Sequence, residues 1–403
     1  MRFERKADVA FITFFMLLCI SPLTQGPYNN YMVFNNGAHA ILNQVDPYPS
    51  EWAESSNFRN WYLYSPTFGL FFLFFSTSGL GMYAGIYLWA MLNLFFFWFG
   101  FKSILDILDE KDALLRGGLY SFALLLVVNE LMGTLTNLQS NALIIGLSLL
   151  GISWYVKGRY ALSALALAVG FNFKLIPLPI ALPLLMDFKP KYAALFILFS
   201  TVIFTIPLAI LPSDFYFWIL KHWVNIMLTD PMHPVFLGLE PTLWNYGYRL
   251  DGTWFVTFML ANAIGVAAIA FFAFKKSPEY FVETVVPLVL LFIILFNKRS
   301  ERPSFVIITP VLVFVLHAAI YARRKGNTAI AYVHYSVLAL AWFLISYSYS
   351  DLCPKEGRNF ADAKHFKTLG ALLLYVWAWC VAWASFKRPS LSPLKLFDKS
   401  SIQ

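Results

Sequence analysis

The sequence predicts an all-α polytopic membrane protein, and both its composition and the spacing of its apolar runs support this fold class. Of its 403 residues, 59% are hydrophobic and only 13% are charged, whereas a soluble domain carries about 25% charged residues. Apolar runs of about 20 residues recur from end to end, long enough to cross a hydrocarbon core of about 30 Å. We therefore expect one integral membrane domain over 1–403, with about 11–13 transmembrane or re-entrant helices.

The positively charged residues follow a membrane topology, so the net charge of +8 does not indicate a nucleic-acid partner. Lysines and arginines form short clusters between apolar runs, as the positive-inside rule predicts. Placing these clusters in the cytoplasm puts both termini there. No cleavage site follows the first apolar run, so we expect a retained first helix. The simple loops favour a bacterial cytoplasmic (inner) membrane.

Two outer loops are expected to contain helices that lie in the plane of the interface. The first loop, over 25–63, has apolar residues at helical spacing from about 29 to 43. The third outer loop, over 213–252, is rich in Trp, Tyr and Phe. Amphipathic and aromatic segments of this kind suit the membrane interface.

Residues 160–187 predict a hairpin of two short helices with Lys174 near its apex. The apolar stretch between the basic flanks is too long for one span and too short for two. Two helices of about 20 Å each would return the chain to the same side, and the prolines after Lys174 would break the helix. The segment 63–79 is also too short to cross. Irregular backbone at this depth requires a surrounding cavity, which we expect in the first half of the chain.

Polar residues concentrate in the predicted outer loops and at the outer helix ends. These stretches are "NNYMVFNNGAHAILNQVDPYPSEW", "NELMGTLTNLQSNA", "FNFKLIP", "EPTLWNYGYRLDG" and "NKRSERPSF". A lone cation such as Lys174 within an apolar run is costly. The pattern therefore predicts a site at the outer face for a polar head group that carries an anion.

Four of these stretches resemble glycosyltransferase family 87 of the GT-C superfamily, the polyprenyl-phosphate-hexose-dependent mannosyltransferase-like proteins. They are Asn30-Tyr31 with "GAHAIL" and Pro47-Tyr48, then Tyr64-Ser65-Pro66, Leu138-Gln139-Ser140-Asn141 and Lys174-Leu175-Ile176-Pro177. The third stretch lacks the glycine that opens the family's pattern. Weaker similarity lies in "PTLWNYGYRL", which contains Arg249, and in "SERPSF".

The resemblance implies a GT-C-like bundle and an inverting, metal-independent transfer of a hexose, with mannose as the first expectation. The donor would be a polyprenyl-phosphate sugar and the acceptor a lipid or glycan at the outer face. The expected partners are therefore membrane lipids, this donor and a glycan or glycolipid acceptor, without nucleic acid. No cofactor is expected besides the lipid-linked donor.

Four cations are candidates for binding the donor phosphate, because charge that develops on a leaving group must be neutralised. Lys174 is the first, with a lysine extended toward the interface as the alternative. Lys298, Arg299 and Arg302 lie on the predicted outer side, against the positive-inside rule. Their alternative role is contact with lipid head groups.

The candidates for the general base are less clear, because Asn30 stands where the family has its presumed catalytic aspartate. An amide cannot accept the proton of an acceptor hydroxyl. Substitutes are Glu301, whose alternative role is an ion pair with Arg302, and Asp46, which could form a turn. Glu130, in an apolar helix, ranks below them. Glu51 lies in the same loop as Asp46.

Other polar and aromatic residues on the outer side are candidates for contacts with the sugar or the acceptor. They are Tyr48, Tyr64, Gln139, Asn141 and Arg249. Anchoring at the interface is the alternative for the tyrosines, and capping of a helix pair is the alternative for the amides. The absence of paired repeats argues against a saccharide transporter. A non-catalytic accessory subunit is the third hypothesis, because of Asn30.

Overall fold

The computed structural model describes residues 2–25, 29–48, 62–109, 118–229, 235–250, 252–276 and 278–387. Over these ranges the chain forms α-helices and short 3-10 helices, without a β-strand. The α-helices of the first half are α1 Arg2–Leu18, α2 Ser21–Gln25, α3 Asn29–Leu42, α4 Pro66–Phe72, α5 Met82–Asp109, α6 Gly118–Thr136, α7 Asn141–Val156, α8 Tyr160–Phe173, α9 Leu178–Leu185 and α10 Pro190–Thr205.

The second half continues this pattern of long helices interrupted by shorter ones. Its α-helices are α11 Ser213–Thr229, α12 Leu239–Asn245, α13 Gly252–Lys276, α14 Pro278–Thr284, α15 Val286–Leu295, α16 Thr309–Arg324, α17 Thr328–Ile345, α18 Lys355–Ala363 and α19 Phe366–Lys387. The 3-10 helices in the described ranges cover Leu73–Phe75, Ile206–Ala209, Arg302–Ile308 and Tyr347–Tyr349.

Within the described ranges, eight helical segments are long and apolar enough to cross a membrane. They are Arg5–Thr24, Met82–Leu108, Gly118–Thr136, Pro190–Ala209, Gly252–Lys276, Arg302–Arg324, Thr328–Tyr349 and Phe366–Ser385. Four shorter apolar helices cover Pro66–Phe75, Asn141–Val156, Tyr160–Phe173 and Tyr280–Leu295. This architecture confirms the predicted all-α polytopic membrane protein.

The helix α16 lies at the centre of the bundle. Its apolar window is completely buried, and it packs against α6, α15 and α17. A helix that is apolar on all sides is stable only when other elements surround it. In contrast, α10 and α13 bury only 17% of their apolar windows, as expected for helices at the outside of a membrane bundle.

The predicted helix break at Lys174 is present, but the hairpin differs from the prediction. Lys174 has an extended backbone (φ −152°, ψ 141°) directly after α8. The following helix α9 has only eight residues, about 12 Å at 1.5 Å per residue, instead of the expected 20 Å. Pro183 lies inside α9 rather than ending it. The helix α9 packs against α13 and α15, so the break joins the two halves of the bundle.

The helix predicted near 29–43 in the first outer loop is confirmed as α3, which packs against α4. The Tyr31 hydroxyl donates to the Phe75 carbonyl at 2.7 Å. The Asn35 side chain accepts from the Thr77 backbone N–H at 2.9 Å. Buried hydrogen bonds between distant segments hold the loop helix in one position, and this fixes Asn30 at the start of α3.

We predict that Gly146→Ala strongly destabilises the fold, because the backbones of α5 and α7 touch at this position. A Cβ atom at Gly146 would lie 2.2 Å from the Phe96 carbonyl group, so the helices must separate. Overpacking of this kind costs about 1–3 kcal/mol, measurable as a lower Tm in detergent. Gly118→Ala is the matched control, since its Cβ meets nothing within 4 Å. Equal Tm values for the two variants would contradict the close packing.

Candidate active site

Two cavities meet at three side chains, Asn30, Gln139 and Glu301, which line both of them. The first, which we name the cationic cavity, has a volume of about 370 Å³ and is lined by Lys174 and Arg299 among others. The second, the polar cavity, has a volume of about 790 Å³. Both volumes lie within the range of about 300–1,000 Å³ that is typical of ligand sites.

Lys174 extends into the cationic cavity from the end of α8. Its Nζ donates to Asn141 Oδ1 at 2.9 Å and lies 5.2 Å from the centre of the Tyr64 ring. A Cβ at Gly170 would lie 2.8 Å from Pro177, so this glycine lets the chain turn tightly beside it. The ammonium is therefore held by a neutral acceptor and an aromatic face, and its charge remains available for an anion.

The Tyr64 ring has a fixed orientation next to this ammonium. Ser140 Oγ and the Tyr64 hydroxyl are 2.9 Å apart. The ring stacks on Phe68 with a centroid distance of 4.5 Å and contacts Phe34 edge-on. A ring fixed on both sides presents one constant face to the cation, as electrostatic preorganisation requires.

A hydrogen-bonded chain of two amides joins Lys174 to Glu301. Asn141 Nδ2 donates to Gln139 Oε1 at 2.5 Å, and Gln139 Nε2 donates to Glu301 Oε2 at 2.6 Å. An ammonium can only donate and a carboxylate can only accept. The ammonium at one end and the carboxylate at the other therefore fix the orientation of both amides.

Leu138 sets the direction of this chain through its backbone. Its φ is +55°, in the left-handed region that glycine occupies most easily. The Leu138 carbonyl accepts from the Trp89 indole at 2.9 Å, which anchors the turn. The glycine of the family's pattern falls at this position, so the leucine keeps the backbone conformation for which that glycine is suited.

Glu301 stands at the N-terminal end of the 3-10 helix Arg302–Ile308. Its carboxylate accepts from the Ser304 backbone N–H, and the Glu301 N–H donates to Ser304 Oγ at 3.3 Å, a reciprocal capping box. Together with Gln139, these neutral donors hold the carboxylate at the boundary of both cavities. None of these contacts involves a cation, so the carboxylate is held in place without losing its negative charge.

Asn30 uses its amide as a hydrogen-bond donor. Its Nδ2 donates to the Asn137 carbonyl at 2.8 Å, which ties the start of α3 to the end of α6. A carboxylate at this position could not donate, and it would face the carbonyl oxygen. The position that the resemblance assigns to a base is therefore occupied in this chain by a hydrogen-bond donor that connects α3 to the end of α6.

Four predicted site residues are not part of the lining of either cavity. One of them, Asn141, still contacts Lys174, whereas the other three have partners elsewhere. Asp46 accepts from the Tyr48 N–H at 2.8 Å and pairs with His222 Nδ1 at 2.5 Å. The buried Tyr48 hydroxyl donates to the Tyr64 carbonyl at 2.6 Å, and burial raises the pKa of Tyr48, so its phenol stays protonated. Arg249 stacks on Trp244 at 4.6 Å. Glu51 lies outside the described residues.

The structure separates Arg302 from the other phosphate candidates. Lys298 and Arg299 line the cationic cavity with Lys174, whereas Arg302 lines the polar cavity and pairs with Asp362 at 2.5 Å. Glu301 is not its partner. The four predicted phosphate cations are therefore divided between the two cavities, three in the cationic cavity and one in the polar cavity.

Glu130 forms a buried ion pair that sequence reasoning missed. Its Oε2 lies 2.5 Å from Lys367 Nζ, and the two side chains are only 2% and 3% exposed. Both line the polar cavity. The sequence signal was a lysine at the start of the last apolar run, which the structure places in the first turn of α19. Among the described residues, no group of three or more His, Cys, Asp or Glu could hold a metal ion.

The fold and the site together define a multi-pass membrane protein with a polar site between its helix ends. The sequence profile of glycosyltransferase family 87 matches residues 62–347, more than two thirds of the chain. The chain therefore belongs to glycosyltransferase family 87 and is a membrane glycosyltransferase, as the resemblance predicted. The matched region includes Lys174, Gln139 and Glu301 but begins after Asn30 and Asp46. A comparison with curated proteins found no match.

We predict that Asn30→Asp lowers activity and stability instead of supplying a better base. The substitution removes the donor to the Asn137 carbonyl and places two acceptors together, and the lost hydrogen bond is worth about 0.5–1.5 kcal/mol. Thermal unfolding and sugar transfer measure the two effects. Asn225→Asp, at an exposed position of α11, is the matched control. Higher activity of Asn30→Asp would contradict this prediction, because it would show that an aspartate at position 30 acts as the base.

Proposed function

We propose that the protein transfers a hexose, mannose in the first instance, from polyprenyl phosphate to a lipid or glycan acceptor at the outer face, with inversion. One observation carries the proposal: the hydrogen-bonded chain from Lys174 to Glu301. It connects a cation suited to the leaving phosphate with a carboxylate suited to the acceptor hydroxyl.

The cationic cavity suits a phosphate attached to a prenyl chain. Three cations and one carboxylate line it, for a formal charge of +2, next to apolar side chains such as Met227, Met259 and Phe292. When the glycosidic bond breaks, its electrons pass to the phosphate oxygen. Cations fixed beforehand stabilise that charge without reorganisation during the reaction.

Glu301 is the proposed general base. The acceptor oxygen attacks the anomeric carbon on the side opposite the phosphate, the bond to the phosphate oxygen breaks, and the acceptor proton passes to the Glu301 carboxylate. A single displacement of this kind inverts the configuration. Asp46 and Glu130 are less suitable, because their oxygens are already paired with His222 and Lys367.

The outer position of the site is supported by the helix ends on which its residues lie. Asn141 begins α7, and Lys157 and Arg159 follow the other end of that helix. Glu301 precedes the span that ends at Arg324. The basic residues mark the cytoplasmic side by the positive-inside rule, so the site residues occupy the opposite side.

We predict that Lys174→Met weakens donor binding by at least about tenfold, because the phosphate loses a preorganised cation. The purified protein in nanodiscs is tested for binding of radiolabelled polyprenyl-phosphate mannose. Transfer of the labelled mannose to a bacterial membrane lipid extract is measured with the same protein. Lys221→Met, at an exposed position of α11 outside both cavities, is the matched control. Unchanged donor binding in Lys174→Met would contradict the phosphate assignment.

The companion variant Glu301→Gln keeps the size of the side chain but removes the base. We expect donor binding to persist while transfer falls by about 10²–10⁴-fold, the usual contribution of a general base. Near-native transfer in Glu301→Gln would overturn the base assignment. Donor binding by the unmodified protein without any transfer would instead favour an accessory subunit. Movement of intact donor across the bilayer would favour a transporter.

A further inference from the structure

The polar cavity carries the opposite sign of charge from the cationic cavity. Four acidic and two basic side chains line it, for a formal charge of −2. They are Glu130, Glu301, Asp351, Asp362, Arg302 and Lys367. The cationic cavity has a formal charge of +2. The two cavities share Glu301, so the formal charge changes from negative to positive across the boundary at which Glu301 lies.

Both cations of the polar cavity are already paired with its own acidic residues. Lys367 pairs with Glu130, and its ammonium also lies between the rings of Tyr349 and Phe305, at 4.8 and 5.3 Å. Arg302 pairs with Asp362 through two contacts of 2.9 and 2.5 Å. An anionic ligand would have to compete with these carboxylates for each cation.

The other two acidic side chains of the lining differ in their partners. Asp351 pairs with Arg358, which is not part of the lining, whereas Glu301 is held by neutral donors. Among the described lining residues, Glu301 is therefore the carboxylate without a cationic partner. Burial lowers the pKa of His365, which lies beside the Thr242 hydroxyl at 2.9 Å. At neutral pH this imidazole therefore adds no positive charge near Lys367.

The neutral side chains of the lining present acceptor oxygens suited to hydroxyl groups. Asn129, Thr136 and Asn137 lie on α6 and at its end, along the cavity, and all three already donate within the protein. Their amide and hydroxyl oxygens can still accept, which suits the O–H groups of a sugar and not the oxygens of an anion. The Glu130–Lys367 pair adds one strong acceptor and one strong donor at a single position.

We propose that the polar cavity is the acceptor subsite, that it takes an uncharged saccharide, and that it excludes acceptors with a phosphate or carboxylate beside the reacting hydroxyl. This inference rests on the proposed function, because it places the acceptor against Glu301. An added anion would meet like charge at Glu301 and would have to displace carboxylates from Lys367 and Arg302, and repulsion of this kind is an effective means of discrimination. The sign change also directs the lipid phosphate to the cationic cavity.

The test compares binding of methyl α-mannobioside and its 6-phosphate, measured by saturation-transfer NMR on the protein in nanodiscs without donor. We expect the neutral sugar to bind at least about tenfold more tightly, as like-charge exclusion predicts. The double variant Asp351→Asn/Asp362→Asn should reduce this ratio several-fold. Both side chains are substantially exposed, at 99% and 41%, so the fold should tolerate the change.

Asp214→Asn, exposed on α11 outside both cavities, is the matched control and should leave the ratio unchanged. Equal or tighter binding of the phosphorylated sugar, binding of neither sugar, or an unchanged ratio in the double variant would overturn the inference. Transfer from labelled donor is measured on the same samples. Transfer without discrimination leaves the proposed function intact, whereas discrimination without transfer contradicts the proposed function alone.

Discussion

The polar site depends on the fixed position of one ammonium group, that of Lys174. A lysine at membrane depth is unfavourable unless its charge is accommodated, and here an amide oxygen and an aromatic ring accommodate it. Neither of these partners neutralises the charge. The Asn141 amide that contacts Lys174 also donates to Gln139, and Gln139 in turn donates to Glu301. The cation and the carboxylate therefore depend on one network, although they come from distant parts of the chain.

The site is built where helices end. The ends of α6 and α8, the turn before α7 and the start of the 3-10 helix at Arg302 all contribute polar groups to the two cavities. Backbone that leaves the helical conformation at this depth must be surrounded by protein or by a water-filled cavity. The close contact of Gly170 with Pro177 and the left-handed backbone of Leu138 make these turns possible. The helix ends therefore determine both where the backbone turns and where the polar site lies.

Sequence reasoning predicted the helices and named several residues of the candidate site, because apolar length and isolated charges are local signals. Lys174, Gln139, Asn141 and Glu301 were all named as candidates, but the hydrogen bonds that join them depend on long-range packing. Lys367 was missed because one lysine at the edge of an apolar run resembles an interface residue. The placement of Arg302 also depends on long-range packing. Arg302 was grouped with its neighbours Lys298 and Arg299, yet the buried Ser300 lies between them, where its carbonyl accepts from the Leu237 N–H at 2.6 Å. After this fixed point, Arg302 lines the other cavity.

The most direct test of the account is an electron cryomicroscopy structure of the Glu301→Gln variant in nanodiscs with polyprenyl-phosphate mannose. The account predicts the donor phosphate in the cationic cavity, about 2.7–3.2 Å from Lys174 Nζ, with the anomeric carbon facing position 301. The prenyl chain should lie along the apolar lining at Met259 and Phe292. A phosphate in the polar cavity, or at the basic helix ends on the other side of the bundle, would contradict it.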